Sequence, residues 1–264
     1  MNLSPDLFTV LQVFAFMTGC CLGSFFNVVI YRLPDGSSIV HPGSQCPNCR
    51  HPIAFYDNIP LLSFLVLGGR CRHCRQRISL RYLLVEAVTG FLTLFLFRAY
   101  GLTPQFFIES LFVFLLILIT FIDLDKYLIP DVLSLSGIVA GFVLSFFTPR
   151  LTWVDSLVGI LLGGGFLYLI AVGYHYFRRK EGMGGGDIKL LAMIGAFVGL
   201  PGVVFTVLVA SITGTILGIW VMARTRKGLS TMLPFGPFLS LGAVCHLFWG
   251  QAFFSWYLGR VLSG

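Results

Sequence analysis

Apolar residues in this chain neither alternate nor keep to one helical face. They run in long blocks, at about 7–31, 82–100, 105–122, 132–148, 155–177, 188–200, 203–222 and 235–257. A helix needs on the order of 20 apolar residues to cross a bilayer. The blocks therefore predict an all-α polytopic membrane protein with about eight transmembrane helices, the sixth of them short. The first block is too long for a removable signal peptide and lacks a basic n-region or small-residue cleavage site, so it is expected to remain as a span. One substantial polar stretch interrupts the pattern, at about 32–81, and it is rich in Cys, Pro and Arg.

Composition agrees with the pattern. The chain is 56% hydrophobic with 27 Phe and only 11% charged residues, and its mean hydropathy is +0.88. A soluble domain carries about a quarter charged residues. Alternate sides of the predicted spans share the 18 Lys and Arg very unequally: only Arg98, Arg150 and Arg260 fall on one side. The positive-inside rule then places the 32–81 loop in the cytoplasm and both termini outside. The net charge of +7 follows from this asymmetry. It implies contact with anionic lipid headgroups and no nucleic-acid binding. Trp153, Trp249, Trp256 and Tyr257 fall near the outer boundaries, as an aromatic belt would. No short-period repeat of solenoid type is visible.

The polar loop carries Cys46-Pro47-Asn48-Cys49 and Cys71-Arg72-His73-Cys74, two CxxC pairs with 21 residues between them. Each pair sets two sulfurs on one turn, and four thiolates close a tetrahedral structural zinc shell. A reducing compartment favours ligation over disulfides. A segment of this size with few large apolar side chains needs such a staple. Reduced free thiols or redox-sensitive pairs are the alternatives. A catalytic zinc fits less well, because four sulfurs leave no position for water. His73 reads as a bystander, and Cys20, Cys21 and Cys245 as small core residues.

Two acidic patches remain, in a chain with only 11 Asp and Glu. Asp123, with Asp125 and Asp131 behind it, ends the third apolar block. Asp187 opens the sixth after Gly182, Gly184, Gly185 and Gly186, a cluster whose bare backbone admits close approach of a substrate strand. Ionisable groups at this depth suggest a use. Two carboxylates that meet share one proton; one activates water against a carbonyl while the other acts as acid. Alternatively, Asp187 is a helix N-cap and Asp123 belongs to a solvated turn. The glycine run lacks the Gly-Lys-Ser/Thr ending of a P-loop, and GxGxxG does not fit.

Four blocks in order, Gly23 to Pro34 (GSFFNVVIYRLP), the paired CxxC loop, Asp123 to Asp131 and Gly182 to Lys189, resemble the type IV prepilin peptidase family, bifunctional leader peptidase/N-methyltransferases of pilus and type II secretion systems. The resemblance implies a GxGD-type aspartic protease with the catalytic pair at Asp123 and Asp187, Asp125 and Asp131 being rivals for the first role. It also implies a prepilin or pseudopilin substrate with a basic leader, a glycine before the cut and an apolar helix after it, in the bacterial inner membrane. A second implied activity is methyl transfer from S-adenosylmethionine to the new N-terminus, placed with the N-terminal cytoplasmic region, where Asn27, Arg32, Arg81 and Glu86 are the candidate contacts. Each of these four also has a structural reading: a helix–helix hydrogen bond for Asn27, snorkelling for Arg32 and Arg81, and an ion pair to Arg81 for Glu86. The implied organisation is a first transmembrane helix at 1–31, a cytoplasmic four-cysteine zinc-binding domain at 32–81 and a seven-helix membrane peptidase domain at 82–264. Rival functions are a proton-coupled transporter, whose ionisable groups would sit nearer the midplane, and a non-catalytic scaffold presenting the zinc module. Asp125, Asp131 and Glu181 are available to attract a basic leader, against Lys126 and the basic run 178–180.

Overall fold

A computed structural model describes residues 4–178, 184–225 and 233–263. Gly182, Met183, Glu181, and the basic residues 179, 180, 226 and 227 lie outside the described residues. Described regular structure is helical: α1 Pro5–Arg32, the short α2 Leu62–Val66, α3 Leu80–Tyr100, α4 Pro104–Lys126, α5 Asp131–Leu144, α6 Trp153–Arg178, α7 Gly185–Thr225 and α8 Gly236–Ser263. No strand longer than an isolated bridge occurs among these residues.

All eight apolar blocks are helical, yet they do not make eight equal spans. Six helices are long and apolar enough to cross a membrane. The fourth block becomes α5, 14 residues followed by a 3-10 turn at Ser145–Phe147; at about 1.5 Å per residue it is short for a ~30 Å hydrocarbon core. The sixth and seventh blocks are joined in α7, whose 41 residues are interrupted at Gly199, with φ 65° and ψ −173°, two positions before Pro201. That left-handed φ suits a residue without a β-carbon, and it divides α7 into arms 185–198 and 200–225.

Two compact units result, Met1–Phe121 and Ile122–Gly264. The first unit holds α1, the cysteine loop, α3 and most of α4. In the first unit α1 lies on α3 through small residues: a β-carbon at Gly19 would come within 2.6 Å of Thr93 Oγ1, and one at Gly90 within 2.5 Å of Cys20 Sγ. Without a hydrophobic drive between helices in lipid, such close backbone approach supplies the dispersion contact that holds them together. Cys20 is buried here, but Cys21 is exposed, because adjacent helical positions point to different faces.

In the second unit α7 is central, packed by α5, α6 and α8. Gly159 of α6 and Gly195 of α7 meet backbone to backbone. Ser156 donates to the Ala196 carbonyl at 2.8 Å, a polar clasp in an apolar setting. Leu190, Leu191, Met193 and Ile194 of the first arm are fully buried, which fixes the helix that carries Asp187 in its first turn.

Candidate active site and metal centre

Asp123 lies in the last turn of α4. The helix stops because Tyr127 takes a left-handed φ of 54°, its N–H donating to the Asp123 carbonyl at 2.9 Å. Leu128-Ile129-Pro130 then carries the chain to α5. Asp123 is 5% exposed, and its Oδ2 accepts the backbone N–H of Gly236 at 3.1 Å. Gly236 is the first residue of α8, so this is one of the free N–H groups of a helix N-terminus aimed at a carboxylate, at the positive end of the helix dipole.

Ile129 joins Asp123 to the second aspartate. Its side chain lies against Gly186, where a β-carbon would come within 2.8 Å of Ile129 Cβ, and against Gly236, where one would come within 3.3 Å of its Cδ1. The two glycines flank one isoleucine; one precedes Asp187 and the other holds Asp123. Asp187 and Asp123 are close enough to interact electrostatically. Asp187 N–H returns to the Gly184 carbonyl at 3.2 Å, so Asp187 sits within the opening turn of α7.

The other acidic residues are placed differently. Asp131 is exposed and accepts Lys189 Nζ at 2.6 Å, tying the start of α5 to the second turn of α7. Asp125 is exposed. Burial, the Gly236 N–H and the neighbouring Asp187 single out Asp123. Beside Gly236, a cavity of about 330 Å³ is lined by Ser211, Gly214, Thr215, Leu233, Phe235 and Phe238. In the sequence Gly236 is marked only as part of the apolar block 235–257. Its position at the head of an apolar block was the available signal that its first N–H groups would need a partner.

The four loop cysteines converge, with all four Sγ within 4.8 Å of one another and Cys46 and Cys74 Sγ 3.8 Å apart. Zinc–sulfur bonds of about 2.3 Å in a tetrahedron require sulfurs about 3.8 Å apart, so the donor set fits zinc. Two matching hairpins supply the thiols. Cys46 N–H donates to the His51 carbonyl and Arg50 N–H to Cys46; 25 positions on, Cys71 N–H donates to Gln76 and Arg75 N–H to Cys71. Arg50 and Arg75 both take left-handed φ, 55° and 59°. The repeat CxxCRxxI, at 46–53 and 71–78, is visible in the sequence.

N–H groups are directed at the sulfurs. That of Gln76 is the main influence drawing the Cys74 thiol down to about 6, and that of Cys49 lowers Cys46. His51 N–H pulls Cys49 the same way, but burial and the neighbouring thiols outweigh it and push Cys49 up to about 11. Thiolates this close repel one another, and a bound dication offsets that repulsion. His51 and His73 stack at 4.2 Å beside the hairpins.

The comparisons with known proteins accord with this geometry. The model of the bacterial peptidase A24 N-terminal domain matches residues 17–100, and that of the type IV leader peptidase family matches 110–219. A prepilin leader peptidase/N-methyltransferase of Aeromonas salmonicida is 35% identical over 94% of each chain. The chain belongs to the type IV leader peptidase family. Proteins of the same name from Pseudomonas aeruginosa, 36% identical over 92% of this chain and 91% of theirs, and Pseudomonas putida, 31% identical over 97% and 95%, are further relatives. No solved structure matches the chain. Within this family member the A24 N-terminal match covers the cysteine hairpins, the leader peptidase match covers both aspartates, and Gly236 lies beyond it.

Of the residues expected at a methyl-donor site, Asn27, Arg32 and Glu86 contact the protein's own backbone and Arg81 a neighbouring ring. Asn27 Nδ2 donates to the Tyr82 carbonyl at 3.1 Å. Arg32 donates to the Ser38 and Gly43 carbonyls at 3.0 and 3.2 Å. Glu86 Oε2 accepts Leu61 N–H at 2.9 Å, and the Arg81 guanidinium lies over the Tyr82 ring. A cavity of about 260 Å³ nearby is lined by Cys21, Ser24, Phe25, Val28, Ser44, Asn58 and Pro60, none of the four.

Proposed function

We propose that this protein removes the leader of prepilins or pseudopilins with Asp123 and Asp187, and that it then N-methylates the new N-terminus. The single observation that carries the peptidase reading is a buried Asp123 whose Oδ2 is held by Gly236 N–H, with Ile129 packed against both Gly236 and Gly186, the residue before Asp187. Two carboxylates so placed hold one proton between them. The ionised member takes a proton from water as the oxygen attacks the scissile carbonyl. The protonated member donates to the carbonyl oxygen and then to the departing nitrogen.

Gly236 N–H fixes the position of Asp123 Oδ2, and the base and acid roles belong to the two carboxylates as a pair. Gly184 and Gly185 expose backbone at the mouth of the site. The apolar cavity between α7 and Phe235 and Phe238 supports a substrate helix lying in the bilayer with its cut beside Gly236. In this reading the aspartates and the zinc module face the cytoplasm and both termini lie outside, an orientation the positive-inside asymmetry supports. There they meet the basic leader, while the basic side contacts anionic lipid and takes no nucleic acid.

Zinc, held by Cys46, Cys49, Cys71 and Cys74, is structural: four sulfurs fill its shell. Methyl transfer from S-adenosylmethionine belongs to the first unit in this reading. Asn27, Arg32 and Glu86 shape that region by their backbone contacts, and Arg81 by lying over the Tyr82 ring.

The test is mass spectrometry of a model prepilin incubated with the purified protein, with and without S-adenosylmethionine. Leader loss abolished by both Asp123→Asn and Asp187→Asn is the expected result, with an added methyl only when the donor is present. Cleavage that survives either substitution would sink the dyad.

A further inference from the structure

The segment between the two cysteine hairpins is far more apolar at its surface than a water-facing loop tolerates. Phe55 is 86% exposed, Leu65 68% and Val66 80%, with Tyr56, Ile59 and Leu62 also open. From 53 to 69 the sole ionisable side chain of formal charge is Asp57. That charge is cancelled by a two-point fork from Arg72, at 2.7 and 2.6 Å, and its side chain is 10% exposed. Scattered exposed apolar residues are ordinary, but a contiguous patch of this size marks a surface that is covered in use.

Three further observations say what covers it. First, depth: Leu61 N–H is bonded to Glu86, the seventh residue of α3. That helix has 21 residues, about 32 Å at ~1.5 Å each, so it spans a ~30 Å core with almost nothing to spare. Glu86 lies about 9 Å along it by the same rise, which sets the start of α2 about 8 Å inside the edge of that core, at the depth of the upper acyl chains. Continuity is the second: Leu80 and Leu84 in the opening turns of α3, and Tyr31 at the end of α1, are also exposed.

Charge is the third observation. The 32–81 stretch holds seven Arg against two Asp, and Arg50, Arg70, Arg75 and Arg77 flank the patch in sequence and are exposed, as an anionic headgroup layer requires. The backbone is suited to the same place. Asp57 N–H donates to Ala54, Ser63 N–H to Ile59, Leu65 N–H to Leu61 and Gly69 N–H to Phe64, while Ser63 Oγ donates to Tyr56. Such internal pairing reduces the penalty of leaving water.

We propose that residues 55–66 form an interfacial element seated in the leaflet that faces the zinc module, with Phe55, Leu62, Leu65 and Val66 among the upper acyl chains and the neighbouring arginines on anionic headgroups. The module is thereby fixed flat against the membrane rather than hanging from two helix ends. This rests on the membrane-spanning fold and not on the aspartate reading.

The test uses full-length protein in vesicles of phosphatidylcholine and phosphatidylglycerol. An environment-sensitive fluorescent amino acid replaces Phe55, Leu65 or Val66 in turn, and Gln76, exposed on the second hairpin, is the reference position. Zinc content equal to that of the unlabelled protein confirms that each label leaves the module folded. Lipids brominated near the top of the acyl chain should quench positions 55, 65 and 66 severalfold more than 76, and aqueous iodide should do the reverse. Equal iodide quenching at all four positions, with no bromine effect, would overturn the proposal. So would protection from iodide that appears only on adding an uncleavable prepilin peptide, since the patch would then be a substrate surface.

Discussion

Replacing Gly236 with alanine tests whether the helix N-terminus at Asp123 matters to the chemistry. The added β-carbon would lie 2.6 Å from Asp123 Oδ2 and 3.3 Å from Ile129 Cδ1. Ordinary carbon–oxygen contact needs about 3.3 Å or more, so the carboxylate must retreat by roughly 0.7 Å or turn away. Retreat lengthens an N–H···O bond that already stands at 3.1 Å. A hydrogen bond to a charged group contributes about 1.5–3 kcal/mol, and each ~1.4 kcal/mol is tenfold in rate. Cleavage should therefore fall by about ten- to a hundredfold in kcat/KM, the size expected of a sub-ångström misplacement of a reacting group.

The assay is the time course of leader removal from a model prepilin in detergent or vesicles, followed by mass. Thermal stability and zinc content are read on the same preparation, and methylation of a peptide supplied without its leader is the control, since that activity is assigned to the other unit. A kcat/KM within twofold of the unsubstituted protein would refute the role given to Gly236. A loss matched by loss of folded protein would assign the effect to packing instead.

Further outcomes follow from the same structure. Cys74→Ser should lower zinc content and make the 32–81 stretch sensitive to protease, as should strong chelation; metal analysis together with limited proteolysis checks both, and full zinc retention would contradict four-thiolate ligation. Gly159→Val meets the backbone of Gly195 and cannot be relieved by a rotamer change, so it should destabilise the second unit by about 1–3 kcal/mol or more, read as a lowered melting temperature in detergent. Lys189→Ala breaks a largely exposed ion pair with Asp131 and should cost under about 1 kcal/mol. A large loss of melting temperature there would show that the pair does more than tie α5 to α7.

Much of this protein was legible along the chain because the bilayer imposes a local rule. Apolar runs announce helices wherever they fall, and all eight blocks are helical. The cysteine centre was legible for the same reason: CxxC is a one-turn motif, and only the meeting of its two turns needed the fold. Asp123 and Asp187 stood out as charges at the ends of apolar blocks. Sequence alone left open whether they met, because they stand 64 positions apart and nothing local encodes that approach.

Tertiary structure decided what depends on through-space contact. It brought Gly236 to Asp123 across 113 positions, and set Ile129 between two glycines. It drew Asp131 away to Lys189, and turned the apolar side chains of 55–66 outward. Burial of a carboxylate, the partner of a helix N-terminus and the face shown by a short loop all depend on which helices pack together. That choice is made by close-fitting small residues such as Gly19, Gly90, Gly159 and Gly195, whose fit is a property of pairs of surfaces and has no signature in either stretch of sequence taken singly.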